Sequence, residues 1–103
     1  MKHLFNSQGN WIAFISGKYV FDTSSNWIGW IPWDDGDVIS VDGDYLGTIT
    51  DKNRFYKFLN FSYRGYPGYP GYPGYPGYPG YPGYAGYSML PSFAVDIKEL
   101  ENQ

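Results

Sequence analysis

Asn26-Trp27-Ile28-Gly29-Trp30-Ile31 has two counterparts in this chain, Asn10-Trp11-Ile12-Ala13-Phe14-Ile15 and Asp44-Tyr45-Leu46-Gly47-Thr48-Ile49. The offsets are 16 and 18 residues. Each segment opens on a turn-forming Asn or Asp, then runs aromatic, aliphatic, small, any residue, isoleucine. Before the second and third copies lie Lys18-Tyr19-Val20-Phe21-Asp22 and Val38-Ile39-Ser40-Val41-Asp42, each closed by an aspartate able to nucleate an Asx turn. Asp42-Gly43 is the pair that favours a two-residue hairpin turn. The repeating unit is therefore a β-hairpin, with a further strand expected over Arg54–Leu59 after the turn at Asp51-Lys52-Asn53. No stretch before residue 64 shows helical periodicity.

Alternation places Trp11, Ala13 and Ile15 on one face of their strand and Ile12 and Phe14 on the other. In the next copy Trp27, Gly29 and Ile31 oppose Ile28 and Trp30. Both faces are apolar, unlike a sheet with one wet side. Ala13, Gly29 and Gly47 leave room for a neighbouring ring or backbone to approach. About 60 residues cannot readily cover two such faces alone, because small domains bury a low fraction of their surface. Association with further copies is the expected remedy, each large side chain gaining roughly 1.5–3 kcal/mol on full burial.

Residues 65–88 are eight glycine-first triplets: Gly-Tyr-Pro six times, then Gly83-Tyr84-Ala85 and Gly86-Tyr87-Ser88. A period of three with proline predicts polyproline II, extended to roughly 70 Å at about 3.1 Å per residue. Three fates compete for such a tract: disorder, packing against partner tracts, or lying along the tryptophan-bearing sheet. The last stretch, from Pro91 to Leu100, is apolar again. Phe93, Val95 and Ile97 suit a strand face, and Phe93, Ile97 and Leu100 a helical one. The expected divisions are a hairpin-repeat domain over 1–62, the extended repeat over 63–88 and a C-terminal docking segment over 89–103.

Composition excludes much. The chain has no cysteine and one histidine, His3, so disulfides and thiolate metal sites are absent. Net charge is −3 and no basic run exists, which disfavours nucleic acid. No apolar run approaches a membrane span. The first residues, Met1 to Asn6, lack the apolar stretch of a secretory signal, making a cytoplasmic location the expectation. Asp34, Asp35, Asp37, Asp42 and Asp44 lack the ligand alternation of a calcium loop and read as turn chemistry. No nucleophile motif or phosphate-cradling glycine loop occurs, so neither catalysis nor a cofactor or metal is expected.

The aspartate-closed first strand and aromatic-aliphatic-Gly-x-Ile second strand resemble the four-fold β-flower proteins, a family of small bacterial proteins, over roughly residues 9–60. That resemblance implies an all-β protomer assembling with four-fold symmetry and names no activity. A collagen triple helix, which also has the Gly-x-y period, conflicts with such an assembly. Lys18–Ser24 followed by Gly29-Trp30 is also similar to the aromatic hairpins that bind choline or glucan on bacterial cell walls. Ser25-Asn26 replaces the glycine expected there, and the copy at Gly47-Thr48 lacks the closing tryptophan.

Trp11, Trp27, Trp30 and Trp33 are the candidate site residues. They either fill core and subunit interface or line a groove able to receive the chain's own proline-rich tract. The expectation is an all-β protomer of tandem antiparallel hairpins, a small open barrel or rosette, forming a non-enzymatic homo-oligomer, a tetramer, that displays a Tyr/Pro-rich tail to itself or to a protein that reads such segments. The rival is an aromatic site for a carbohydrate or quaternary ammonium ligand.

Overall fold

A computed structural model describes residues 1–97, and among them every regular element but one 3₁₀ turn is a strand. The strands are β1 (Lys2–Phe5), β2 (Trp11–Ser16), β3 (Tyr19–Asp22), β4 (Trp27–Trp30), β5 (Asp37–Ile39), β6 (Tyr45–Thr50), β7 (Arg54–Phe58) and β8 (Ala94–Val95). β1 to β7 form an antiparallel meander, and a parallel bridge from Phe5 to Arg54 closes it into a seven-strand barrel. Closure removes the sheet edges that would otherwise template aggregation.

The aromatic and β-branched runs became strands where expected, from β2 to β7. β1 was not anticipated. It is the first strand of the first hairpin, and its polar Lys2 and His3 hide the pattern. The three hairpins β1–β2, β3–β4 and β5–β6 are near copies. Each first strand bulges at the same point, Leu4/Phe5, Val20/Phe21 and Val38/Ile39, which adds local twist and helps a short sheet curl shut.

Their turns also repeat. The side chains of Asn6, Asp22 and Ser40 accept hydrogen bonds from the backbone of Asn10, Asn26 and Asp44 at 3.0, 3.0 and 3.1 Å. The backbone N–H groups of Gly9, Ser25 and Gly43 donate to the carbonyls of the same three residues. Gly9, Ser25 and Gly43 then take left-handed φ of 88°, 67° and 94°. This is a three-residue loop with a left-handed last position. It corrects two expectations in the third hairpin: Ser40, not Asp42, closes the first strand, and Asp42-Gly43 do not form a two-residue turn.

A fourth hairpin is split. β7 enters a turn in which Phe61 N–H donates to the Phe58 carbonyl, as in the other three. The chain then departs through the Gly-Tyr-Pro tract and returns. Leu59 N–H donates to the Phe93 carbonyl at 2.7 Å, and β8 pairs Ala94 with Phe58 and Val95 with Lys57. The tract is thus an insertion inside a hairpin rather than a free tail, and its far end is secured by its own barrel. In the last stretch Ala94 and Ile97 are buried while Phe93 is exposed, so the expected Phe93/Val95/Ile97 face does not form. Leu100 lies outside the described residues.

Leu4, Ile12, Ala13, Val20, Val38, Phe55 and Ile97 form the core cluster, and Phe14 stacks on Phe21 at 5.3 Å. The small residues serve close approach. A side chain on Gly29 would strike the Ile39 carbonyl oxygen, and one on Gly47 would meet Tyr56 O at 2.7 Å.

Candidate functional site

The tract lies against the barrel as a belt, visiting the third hairpin, then the second, then the first. Tyr66 donates to the Val41 carbonyl in the third turn at 3.2 Å. On the second hairpin, Trp27 meets Tyr69 and Tyr72 edge-on at 6.0 and 5.8 Å between ring centres. On the first, Trp11 meets Tyr78 and Tyr81 at 5.9 and 6.1 Å. Edge-to-face pairs of this kind contribute roughly 0.5–1.5 kcal/mol beyond burial.

The matching is set by sequence spacing. Trp11 and Trp27 occupy equivalent positions, and each takes a tyrosine pair one triplet apart. Both indoles are locked alike, Trp11 Nε1–H donating to Ala13 O at 2.7 Å and Trp27 Nε1–H to Gly29 O at 2.8 Å. The equivalent first-strand residues flank them: His3 packs edge-on against Trp11 and Tyr19 against Trp27. Each also reaches the belt's backbone, His3 Nε2 donating to Gly80 O at 2.9 Å and Tyr19 Oη to Pro70 O at 3.2 Å. Ser25 Oγ donates to Gly77 O at 3.0 Å.

The belt is not a regular polyproline II helix. Every one of its glycines has φ between 77° and 98°, whereas polyproline II needs about −75°. Nothing lies within 4 Å of where their Cβ atoms would sit. Backbone conformation, not space, demands glycine there, since any other residue is strained at positive φ. Every third residue thus reverses sign and lets the belt follow the barrel. Its tyrosines Tyr66, Tyr69, Tyr72, Tyr75, Tyr78, Tyr81, Tyr84 and Tyr87 stay between 54% and 75% exposed.

Each end is held by an arginine. Arg64, just before the first triplet, bridges Asp35 at 2.6 Å and Asp37 at 2.7 Å, with its guanidinium 4.0 Å from the Trp33 ring centre. The Asp37 backbone N–H donates to Asp35 and, with Arg64 adding to it, holds the Asp35 carboxyl below the usual carboxylate range against the opposing effect of burial. The two carboxylates in turn hold Arg64 above the ordinary guanidinium range. At the other end Arg54 is only 6% exposed. Its Nη1 donates to Asn6 O at 2.8 Å and Gly86 O at 2.9 Å, and Nη2 to Ala85 O at 3.2 Å. Ala85 and Ser88 N–H groups donate to Gly9 O and Ser7 O. Asp96 closes this junction by accepting from Ser7 N and Ser7 Oγ at 2.9 and 2.6 Å.

Of the four tryptophans singled out by sequence, Trp11 and Trp27 touch the belt and Trp33 packs under its anchoring arginine. Trp30 stands apart: it is buried, and the Lys18 ammonium lies 5.7 Å from its ring centre. Sequence reasoning missed His3, Tyr19, Arg54 and Arg64. Aligning the first strands as well as the second would have exposed His3 and Tyr19, because Lys2–Asn6 matches Lys18–Asp22 position by position.

The third hairpin differs. Tyr45, equivalent to Trp11 and Trp27, takes no belt tyrosine. Phe61 stacks on it in parallel, ring centres 3.7 Å apart. Tyr45 Oη is tied to Thr48 Oγ1, which donates to Asp37, and it accepts from Phe58 N–H. Beside it opens a cleft of about 670 Å³ lined by Trp33, Tyr45, Leu59, Phe61, Tyr63 and Lys57 among others. No group of metal-ligating side chains occurs among the described residues. No helix there is long and apolar enough to cross a membrane.

A closed barrel of repeated hairpins, the last opened by a tyrosine-bearing belt, defines the class of molecule. The chain belongs to the 4-fold beta flower protein family, whose model matches residues 2–93 and so takes in the belt as well as the barrel. No curated protein and no solved structure matches it.

Proposed function

We propose that this protein is a non-enzymatic assembly scaffold, a barrel that presents a ribbon of tyrosines to further copies of itself. The supporting observation is that the belt is fastened to the barrel at all three hairpins while its eight tyrosines remain more than half exposed. Aromatic rings fixed in this way lose little entropy on contact, and aromatic residues are enriched at interfaces. A second protein that reads Tyr/Pro-rich segments would use the same ribbon.

The apolar face that made solitude costly is partly covered by the belt, because Tyr69, Tyr72, Tyr78 and Tyr81 shield Trp27 and Trp11. Association would therefore run through the ribbon rather than through bare sheet. Four is the copy number expected from sequence, although four hairpins within one chain already give a four-fold arrangement. Sedimentation over a range of concentrations tests the reading. A mass of at least twice 11.8 kDa supports it; a single molecule at every concentration defeats it. Titration with choline or short glucans tests the rival, which requires a shift in tryptophan fluorescence on adding the ligand, whereas a shift only on dilution favours assembly.

A further inference from the structure

We propose that the cleft beside Tyr45 is the acceptor for a tyrosine from the belt of a second copy. This rests on the assembly reading and names the contact that carries it. The first two hairpins show what this position binds. Trp11 and Trp27 each collect two tyrosines from a Gly-Tyr-Pro segment, while a side chain of the preceding strand takes a belt carbonyl.

The third hairpin repeats the scaffold and leaves the place half filled. Phe61 covers one face of Tyr45, and the space alongside stays open. The belt of the same chain cannot fill it. Arg64 and Gly65 already form part of its wall, and the first belt tyrosine, Tyr66, is taken by the Val41 carbonyl. Leu59 and Tyr63 are left at its rim, 69% and 75% exposed. Large apolar side chains rimming a concave site mark an interaction surface more than a solvated one. Lys57, reaching in from β7, lines the cleft and supplies a donor for a belt carbonyl; Asp37, which holds the place of His3 and Tyr19, is taken by Thr48 and Arg64.

Tyr75 is the matching donor. It sits midway along the belt, between the pairs on Trp27 and Trp11, touches neither tryptophan, and is 75% exposed. One donor and one acceptor on different parts of each copy make a head-to-tail contact, which closes into a ring or runs on as a filament.

The test is complementation with the full chain. Tyr75→Ala removes the donor and Leu59→Asp spoils the acceptor, both at exposed positions. Each variant alone should sediment as a monomer where the parent assembles, its association weakened at least roughly tenfold. Mixed, they should form a one-to-one complex, because each retains the half the other lacks; that result also shows both variants folded. Wild-type assembly by Leu59→Asp overturns the cleft assignment and leaves the assembly reading standing. Wild-type assembly by Tyr75→Ala, or a mixture that stays monomeric, overturns the pairing of the two. A parent chain that never assembles overturns both.

Discussion

The two ends of the belt are held by the same residue type in opposite surroundings. Arg54 is buried and gives its guanidinium protons to backbone carbonyls of Asn6, Ala85 and Gly86. Arg64 is about a third exposed and faces the carboxylates of Asp35 and Asp37 over Trp33. On paper the ion pair looks the stronger device. In water it is not, because exposed pairs are screened and well solvated when apart. A buried charged donor is worth more to its acceptors, and its removal strands them without water. The belt therefore has a firm end, near residue 86, and a releasable one, near residue 64.

The sharpest way to break that contrast is Arg54→Met. The cost should be about 2–4 kcal/mol, from losing three charged hydrogen bonds and leaving the buried Asn6 carbonyl unmatched. A fall in the urea midpoint, with earlier proteolysis inside residues 65–88, is the expected result. Arg54→Lys should recover only part, since an ammonium cannot span the carbonyls the planar fork reaches. Arg64→Ala should leave the midpoint essentially unmoved while loosening the belt's first triplets. Equal effects from Arg54→Met and Arg64→Ala would erase the distinction.

Between the ends, Trp27→Ala should cost about 1–3 kcal/mol of local belt stability, from the contacts with Tyr69, Tyr72 and Tyr19. The release should be confined to the middle. The Tyr69 and Tyr72 ring resonances would lose their shifts from the indole, while amide hydrogen exchange would stay slow at Ala85 and Ser88, whose N–H groups bond the first turn. Faster exchange at Ala85 and Ser88 as well would mean that the belt peels as one piece, and the two ends would not differ in kind.

How much of this was legible follows from which signals are local. Trp27-Ile28-Gly29-Trp30 announces a strand by alternation and composition, and the Asn and Asp turns announce hairpins, so the all-β class followed directly. Barrel closure did not, because it rests on one bridge between Phe5 and Arg54, distant in sequence and ordinary in type. The tract's period was plain, but its conformation was not: six identical triplets suit polyproline II equally well until the barrel's curvature selects positive φ at glycine. Trp11 and Trp27 were legible as a pair. The arginines were not, since a single Arg at a strand start or loop end has no pattern to betray whether carbonyls or carboxylates await it.

Acid should open the releasable end. The Asp35 carboxyl is held below its ordinary range by the Asp37 N–H and by Arg64, so its folded value lies beneath the unfolded one near 3.9. Its contribution is then complete above about pH 4 and disappears as pH falls through the folded value. The Trp33 indole resonance, which senses the guanidinium above its ring, should move over that acid window and not between pH 5 and 8. Added salt should weaken the clamp at neutral pH in the same direction. A Trp33 signal that ignores both acid and salt would make the Arg64 end as firm as the other.

The smallest effect expected is at Ser25, where two terms nearly cancel. Gly9 and Gly43 hold the same turn position in the sister hairpins, and Ser25 bears the same left-handed φ with a side chain attached. Replacing it by glycine relieves roughly 1–2 kcal/mol of backbone strain. It also removes the Ser25 Oγ hydrogen bond to Gly77 O, worth about 0.5–1.5 kcal/mol. Ser25→Gly should therefore leave thermal stability within about 1 kcal/mol of the parent. Ser25→Ala keeps the strain and drops the bond, so it should be the less stable of the two variants. If alanine and glycine behave alike, the left-handed φ carries no strain; if both also match the parent, the second hairpin's link to the belt rests on Trp27 and Tyr19 alone.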